Sequence, residues 1–475
     1  MKRSLNTWLA AALLSTALPA LAANGQDSRL IQQGRDLALA SDCMACHTDS
    51  AHRGAPYAGG YGIASPMGTI YATNITPAKT WGIGNYSEAQ FAKALREGIR
   101  RDGSPLYPAM PYTAYTKLSD SDIHALYTYF MQGVAPVDEK PTQVTALPFP
   151  FNLRFSMHLW NLLFLDDSRF VPSPNHSAQW NEGAWLVEGP AHCGTCHTPR
   201  NIMMAEDKNA PLAGAQLGQW YAPNITADVN SGIGGWSEAQ LVEYLKTGRT
   251  VGKSQAAGPM AEAVEHSFQH LTDSQLQAIA VYLKSTTPIS TPGETAPIDT
   301  QGGTYNLETQ LRGKNPPGEL NSVTSGEALY SGYCASCHQP DGQGSENQAY
   351  PALVHNTVTG MSNPSNLIAA ILNGVDRQSD GQHAFMPAFG QGSYVGQLSD
   401  EDVAKIATFV YHKFGNASVS VTPEQVAEIR RGGPQPLLAQ LQPYMVPAMV
   451  AGIVALIILA GGIISWRRRK NRNAA

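Results

Sequence analysis

Cys43-Met44-Ala45-Cys46-His47 returns as Cys193-Gly194-Thr195-Cys196-His197 and again as Cys334-Ala335-Ser336-Cys337-His338. Together these three stretches use all six cysteines of the chain. Two thiols separated by two residues, with a histidine directly after, form the attachment pattern of a c-type haem. Each thiol can add across a vinyl group to give a thioether, and the neutral imidazole is then a good axial ligand for the iron. One copy alone would also suit half a zinc site or a redox dithiol. Three copies, no spare cysteine and an export signal decide for three covalently bound haem c groups. Cys43, Cys46, Cys193, Cys196, Cys334 and Cys337 would hold them, with His47, His197 and His338 on the irons.

The export signal is Lys2-Arg3, an apolar run from Trp8 to Leu18, and small residues at Ala20-Leu21-Ala22. It reads as a signal peptide over residues 1–22, too short for a membrane span. Cleavage is expected after Ala22 or Ala23. An oxidising compartment favours disulfides, yet no cysteine is left over, so thioethers take the stapling role. The other end differs. Met445 to Trp466 is an uncharged run of 22 residues, about 33 Å as a helix and long enough to cross the hydrocarbon core. Tyr444 and Trp466 stand at its ends, and Arg467-Arg468-Arg469-Lys470 follow. Aromatic rings favour the interface and basic clusters stay cytoplasmic. The expected location is therefore the periplasmic side of a bacterial inner membrane, anchored by the C-terminal helix. A formal net charge of −5 over 475 residues gives no sign of nucleic-acid binding. With 15% charged residues, 44 Gly and 32 Pro, the composition suits loop-rich domains around a large apolar cofactor.

An internal repeat sets the organisation. Tyr71-Ala72-Thr73-Asn74-Ile75-Thr76 recurs as Tyr221-Ala222-Pro223-Asn224-Ile225-Thr226, and Gly82–Gln90 recurs as Gly232–Gln240. Both offsets are 150, as is that from Cys43 to Cys193. The first two haem domains are thus duplicates, and the third is shorter and more diverged. Each has an amphipathic segment ending in glycine: Phe91–Gly98, Leu241–Gly248 and Leu367–Gly374. Twelve residues past each glycine stands a methionine, namely Met110, Met260 and Met386. Their soft thioethers are the expected sixth ligands, and His/Met ligation raises the potential. Met67, Met203, Met204 and Met361 fail the repeat test, whereas His266 and His270 remain competitors near Met260. A last helix begins with Leu-Ser-Asp at 118, Leu-Thr-Asp at 271 and Leu-Ser-Asp at 398. Asp122, Gln275 or Asp402 three residues after the hydroxyl resembles a capping box. Tyr129, Tyr282 and Phe409 share one register in these helices.

Helix, haem motif, loop, helix, methionine loop, helix is an order that resembles class I cytochrome c. The expected fold is all-α: three tandem domains of that class plus one C-terminal transmembrane helix. The domains run over 27–140, 179–286 and 323–417, with an apolar connecting segment at 141–178, a Pro/Gly/Thr-rich linker at 287–322, and the membrane helix at 445–466. Within the connecting segment, Phe155, Leu159, Leu162 and Leu163 fall at helical spacing. Packing between the first two domains and docking to a partner or membrane are both open for it.

The motifs, the Asn-Ile-Thr repeats, Tyr107-Pro108-Ala109-Met110-Pro111-Tyr112 and Cys193–Arg200 together resemble the three-haem cytochrome c subunit of bacterial membrane-bound periplasmic dehydrogenases. These are of the alcohol, gluconate and sorbitol dehydrogenase type. The resemblance covers roughly residues 27 to 415. It implies a subunit that passes electrons from a catalytic partner carrying FAD or PQQ to membrane ubiquinone, and it allows a small third subunit. The residues agree on one point: no stretch remains for a substrate domain, no Gly-x-Gly-x-x-Gly follows a strand pattern, and no hydrolase triad appears. No catalytic residue is assigned. A haem subunit of a terminal oxidase and a self-contained multihaem peroxidase are the alternatives.

Overall fold

The computed structural model describes residues 27–305 and 324–472; the expected signal peptide and residues 306–322 of the linker lie outside the described residues. Each haem motif follows directly on a helix, at residues 27–40, Ala178–Glu188 and Gly326–Tyr333. A middle helix comes next, Glu88–Glu97, Glu238–Thr247 or Ser365–Asn373. A closing helix completes the unit at Asp120–Thr128, Asp273–Lys284 or Asp400–Phe414.

Local sequence explains where these helices start. Ser119, Thr272 and Ser399 each cap a closing helix, with Asp122, Gln275 and Asp402 returning a bond to the cap's own N–H. Two donors that the first helical turn leaves unpaired are thereby satisfied. Gly98 and Gly248 end the first two middle helices at φ of 64° and 74°, the left-handed conformation that only glycine adopts freely.

The first and last helices of each unit cross at a glycine. A Cβ on Gly34 would lie 2.0 Å from the Ala125 carbonyl oxygen, on Gly183 1.9 Å from that of Ala278, and on Gly326 2.5 Å from that of Lys405. The Cβ atoms of Tyr129, Tyr282 and Phe409 stand beside the same three glycines. The aromatic register seen in the sequence is therefore one half of a helix crossing, and glycine is the other half.

Three large cores follow, one with each motif, beside a small fourth cluster of Tyr112, Trp160 and Ala205. Leu37, Phe91, Leu118, Leu126 and Phe130 belong to the first, Leu186, Leu241, Leu276 and Ile279 to the second, and Tyr330, Ile368, Ile406 and Phe414 to the third. Val421, Val426 and Ile429 join the third core, so its packing runs past residue 417 into the Thr422-capped helix Pro423–Arg430.

Two features depart from the all-α expectation. Antiparallel hairpins form at Gly62–Tyr71, Ala215–Ala222, Arg249–Gln255 and Val375–Met386, within segments read as loop. Their strands span only 2 to 5 residues, too short to leave a periodic signal. The three methionines also do not share one local structure. Met110 lies in a turn before Pro111, Met386 ends a strand before Pro387, and Met260 sits in the helix Gly258–His266. Proline bars the residue before it from helix but starts a helix well, and Pro259 precedes Met260.

The second unit lies between the other two. Trp185 packs against both the first and second cores. The Met260 helix touches the Cys43–His47 helix on one side and strand Val375–Ser379 on the other. Arg377, 2% exposed, donates to the Ala256 carbonyl at 2.6 Å, and Asn366 exchanges two hydrogen bonds with the backbone of Tyr221. Leu437–Arg472 forms one continuous helix whose apolar part is unburied and long enough to cross a membrane.

Candidate haem sites

Each Cys-x-x-Cys-His stretch is a short helical turn: Cys43–His47, Cys193–His197, and Ala335–His338 with Cys334 before it. The turn holds both thiols and the imidazole on one short stretch of backbone. All six cysteines are unpaired and half-buried, so every sulfur remains available for a thioether. Burial pushes the thiols of Cys43, Cys46, Cys193 and Cys334 up to about 12, and that of Cys196 to about 11. A redox dithiol needs the opposite, a thiolate favoured by its surroundings. Among the described residues no group of three or more His, Cys, Asp and Glu side chains is placed to hold a metal ion.

The histidines carry the most informative geometry. His47 Nδ1 lies 2.6 Å from the Thr73 carbonyl, His197 Nδ1 2.6 Å from that of Pro223, and His338 Nδ1 2.9 Å from that of Pro351. A carbonyl only accepts, so Nδ1 must carry the proton and Nε2 the free lone pair. Burial lowers the proton affinity of all three rings and keeps them neutral. A neutral imidazole, oriented by its second nitrogen, is the form that binds a metal.

The Asn-Ile-Thr repeats explain how two of those carbonyls are held. Asn74 Oδ1 accepts from the N–H and hydroxyl of Thr76, and its Nδ2 donates to the Val137 carbonyl. Asn224 does the same with Thr226 and the Ile289 carbonyl. Each asparagine immediately follows the residue whose carbonyl the histidine bonds. It pins that peptide to the chain leaving the closing helix.

Each expected sixth ligand shares a core with the first cysteine of its motif. Met110 packs against the same core as Cys43, Met260 against the core with Cys193, and Met386 against the core with Cys334. All three are half-buried. The other methionines and histidines are placed differently. Met203 is exposed, Met67 sits at the tip of the first hairpin, and Met361 is 2% exposed behind the short helix Thr357–Gly360. Met204 adopts a φ of 62°. His270 is exposed with Nε2 on the Glu265 carbonyl, and His266 ends the Met260 helix.

Sequence reasoning missed three kinds of residue: the carbonyl acceptors Thr73, Pro223 and Pro351, the stapling asparagines, and the crossing glycines. The asparagines were visible as a repeat without a role. The glycines stand 9, 10 and 8 residues before the first cysteine of each motif, a spacing that could have found them.

The cytochrome c family model matches residues 31–133 and 323–412. The chain is 48% identical to the fructose dehydrogenase cytochrome subunit of Gluconobacter japonicus, covering 94% of this chain and 92% of that protein. It is 38% identical to the cytochrome c subunit of the alcohol dehydrogenase (quinone) of Gluconacetobacter polyoxogenes, covering 90% of each. With the gluconate 2-dehydrogenase cytochrome c subunit of Pantoea cypripedii the identity is 37%, over 89% of this chain and 94% of that one.

Proposed function

This chain belongs to the cytochrome c subunits of periplasmic, membrane-bound sugar and alcohol dehydrogenase complexes, and we propose that it holds three haem c groups linking a catalytic partner to membrane ubiquinone. It is a non-catalytic electron carrier. Haem c supplies one-electron chemistry at potentials set by axial ligand and surroundings. In each of three domains, over 27–140, 179–286 and 323–417, the cysteine pair anchors the group and the histidine presents Nε2. Met110, Met260 and Met386 would supply a thioether sulfur as the second protein ligand. The partner oxidises the alcohol or sugar on FAD or PQQ, and the C-terminal helix keeps this subunit at the periplasmic face, next to the quinone pool.

The observation that carries the reading is the threefold Nδ1–carbonyl bond. It fixes the same tautomer in all three motifs, including the second, which lies outside the segments matched by the family model. The test is substrate-driven reduction. The purified subunit alone stays oxidised with fructose, ethanol or gluconate. With its partner present, substrate reduces the haems and a ubiquinone analogue reoxidises them. Reduction by substrate without a partner would overturn the assignment, as would mass spectrometry showing fewer than three thioether-bound groups.

A further inference from the structure

The connecting helix Ser156–Phe164 has two faces with different surroundings. On one, Trp160 is 7% exposed, packs with Tyr112 and Ala205, and donates its indole N–H to the Met203 carbonyl at 2.9 Å. Asn161 beside it accepts from the Tyr112 hydroxyl and donates to the Glu97 carbonyl, each at 2.8 Å. That face ties the first two units together. On the other, Phe155, Leu159, Leu162 and Leu163 are 69, 61, 80 and 61% exposed. Their positions i, i+4, i+7 and i+8 form one stripe. Single exposed apolar residues are ordinary, but such a stripe marks a surface that something apolar covers.

The anchor helix indicates what covers it. Gln442, three residues before the uncharged run begins at Met445, donates from Nε2 to the Phe149 carbonyl at 2.9 Å. The chain entering the connecting helix is thus bonded to the anchor at the level where the anchor meets the bilayer. Phe155 is six residues further on, within about 21 Å even if that stretch were fully extended. Leu437, Leu441 and Tyr444, in the first turns of the anchor, are likewise exposed and add apolar surface there. Charge agrees. No acidic residue occurs from 140 to 165, while His158 is exposed on the helix; Asp166 and Asp167, just past it, are paired with Lys117 and Arg169, so the stripe itself suits lipid headgroups.

We propose that Phe155, Leu159, Leu162 and Leu163 insert into the periplasmic leaflet of the membrane that the anchor crosses, so that Ser156–Phe164 lies in the plane of the interface as a second membrane contact. This rests on the reading of the C-terminal helix as membrane-spanning. The test uses the full-length, haem-loaded subunit without its partner, in nanodiscs of phosphatidylethanolamine and phosphatidylglycerol. With the native cysteines in thioethers, a nitroxide reacts only with an introduced thiol. Labels are placed at Leu162→Cys and, in a second protein, Leu159→Cys, with Leu456→Cys marking the anchor and Tyr394→Cys a surface of the third unit. Collision with apolar oxygen should exceed collision with a water-soluble nickel chelate at 162 and 159, the reverse of position 394. Nickel accessibility equal to that at 394 would overturn the proposal in favour of a face awaiting a protein partner. Protection from both reagents would overturn it in favour of self-association. A label at 456 that reads as water would instead show that the anchor reading itself fails.

Discussion

Gly183→Ala tests whether the second unit is built like the first and third. An added Cβ would stand 1.9 Å from the Ala278 carbonyl oxygen, 2.5 Å from its carbon and 2.9 Å from Tyr282 Cβ. A carbon and a carbonyl oxygen approach no closer than about 3.3 Å even in favourable contacts, so the two helices must part by more than an ångström. Forcing an extra carbon into a packed core costs about 1–3 kcal/mol, against which the gain in helix propensity from glycine to alanine is about 1 kcal/mol or less. Because the clash is with backbone at the centre of the crossing, the upper part of that range applies, and the net loss is about 1–2 kcal/mol. The assay is native-state proteolysis of the haem-loaded protein, where cleavage within 179–286 follows the open population. About 1–2 kcal/mol corresponds to cleavage roughly 5- to 30-fold faster. Gly332→Ala is the control, since Gly332 is helical with nothing within 4 Å of its added Cβ. That substitution should slow cleavage of the third unit. If Gly183→Ala opens no faster than the parent protein, the crossing does not hold the second unit together.

Met386→Ala should remove about one third of the methionine-to-iron absorbance at the red end of the visible spectrum, one ligand of three, with the haem still attached. Met361→Ala should leave that band intact and destabilise the third unit by about 2–5 kcal/mol, as for other fully buried methionines; the reverse pattern would exchange their roles. Asn224→Ala strands the buried N–H and hydroxyl of Thr226 and the half-buried Ile289 carbonyl and should cost about 1–3 kcal/mol in denaturant unfolding. It should also shift one of the three midpoints in a redox titration, because His197 loses its fixed acceptor; three unchanged midpoints would make Asn224 structural only. Burial, and then Glu262, raise the Asp42 carboxyl well above its ordinary value near 3.8, and its Oδ1 lacks a hydrogen-bond partner. The native chain therefore holds this proton to higher pH than the unfolded chain, so this group's contribution to stability is fully present at low pH and is lost as pH rises through its native value. Asp42→Asn, which tolerates the φ of 50° there, should raise the melting temperature near neutral pH and flatten its fall as pH rises above the ordinary carboxylate value.

What the sequence made legible was local. The capping hydroxyls Ser119, Thr272 and Ser399 need only a partner three residues away, and the structure uses all three as read. The crossing glycines and the carbonyls under the histidines depend on residues 13 to 95 positions apart, and the hairpins on strands too short to leave a period. Pro259 shows a subtler loss. Its position before Met260 is a helix-start signal, but treating the three methionine segments as equivalent averaged that signal away. Residues 155–163 show the limit of periodicity. The spacing of Phe155, Leu159, Leu162 and Leu163 announced a helix, yet the side that packs inward is that of Trp160 and Asn161. Hydrophobic period reveals that a face exists; it does not reveal which solvent the face meets.

The contacts between units bear on function more directly than the cores do. A carrier that delivers electrons by diffusion needs only a stable fold, whereas groups fixed in successive domains need fixed distances between those domains. The chain meets that need with bonds that are expensive to leave unmade. Arg377 brings a buried guanidinium to the Ala256 carbonyl, and Ser379 donates to that of Thr247 at 2.6 Å. Tyr61 reaches from the first unit to the Glu262 carboxylate at 3.1 Å, on the helix that carries Met260. Parting either interface would strand these polar groups, at about 1–3 kcal/mol each. Both interfaces converge on the Gly258–His266 helix, so a displacement there disturbs the second unit's proposed ligand and both neighbours at once. That convergence makes the middle unit the one through which the first and third are held in place.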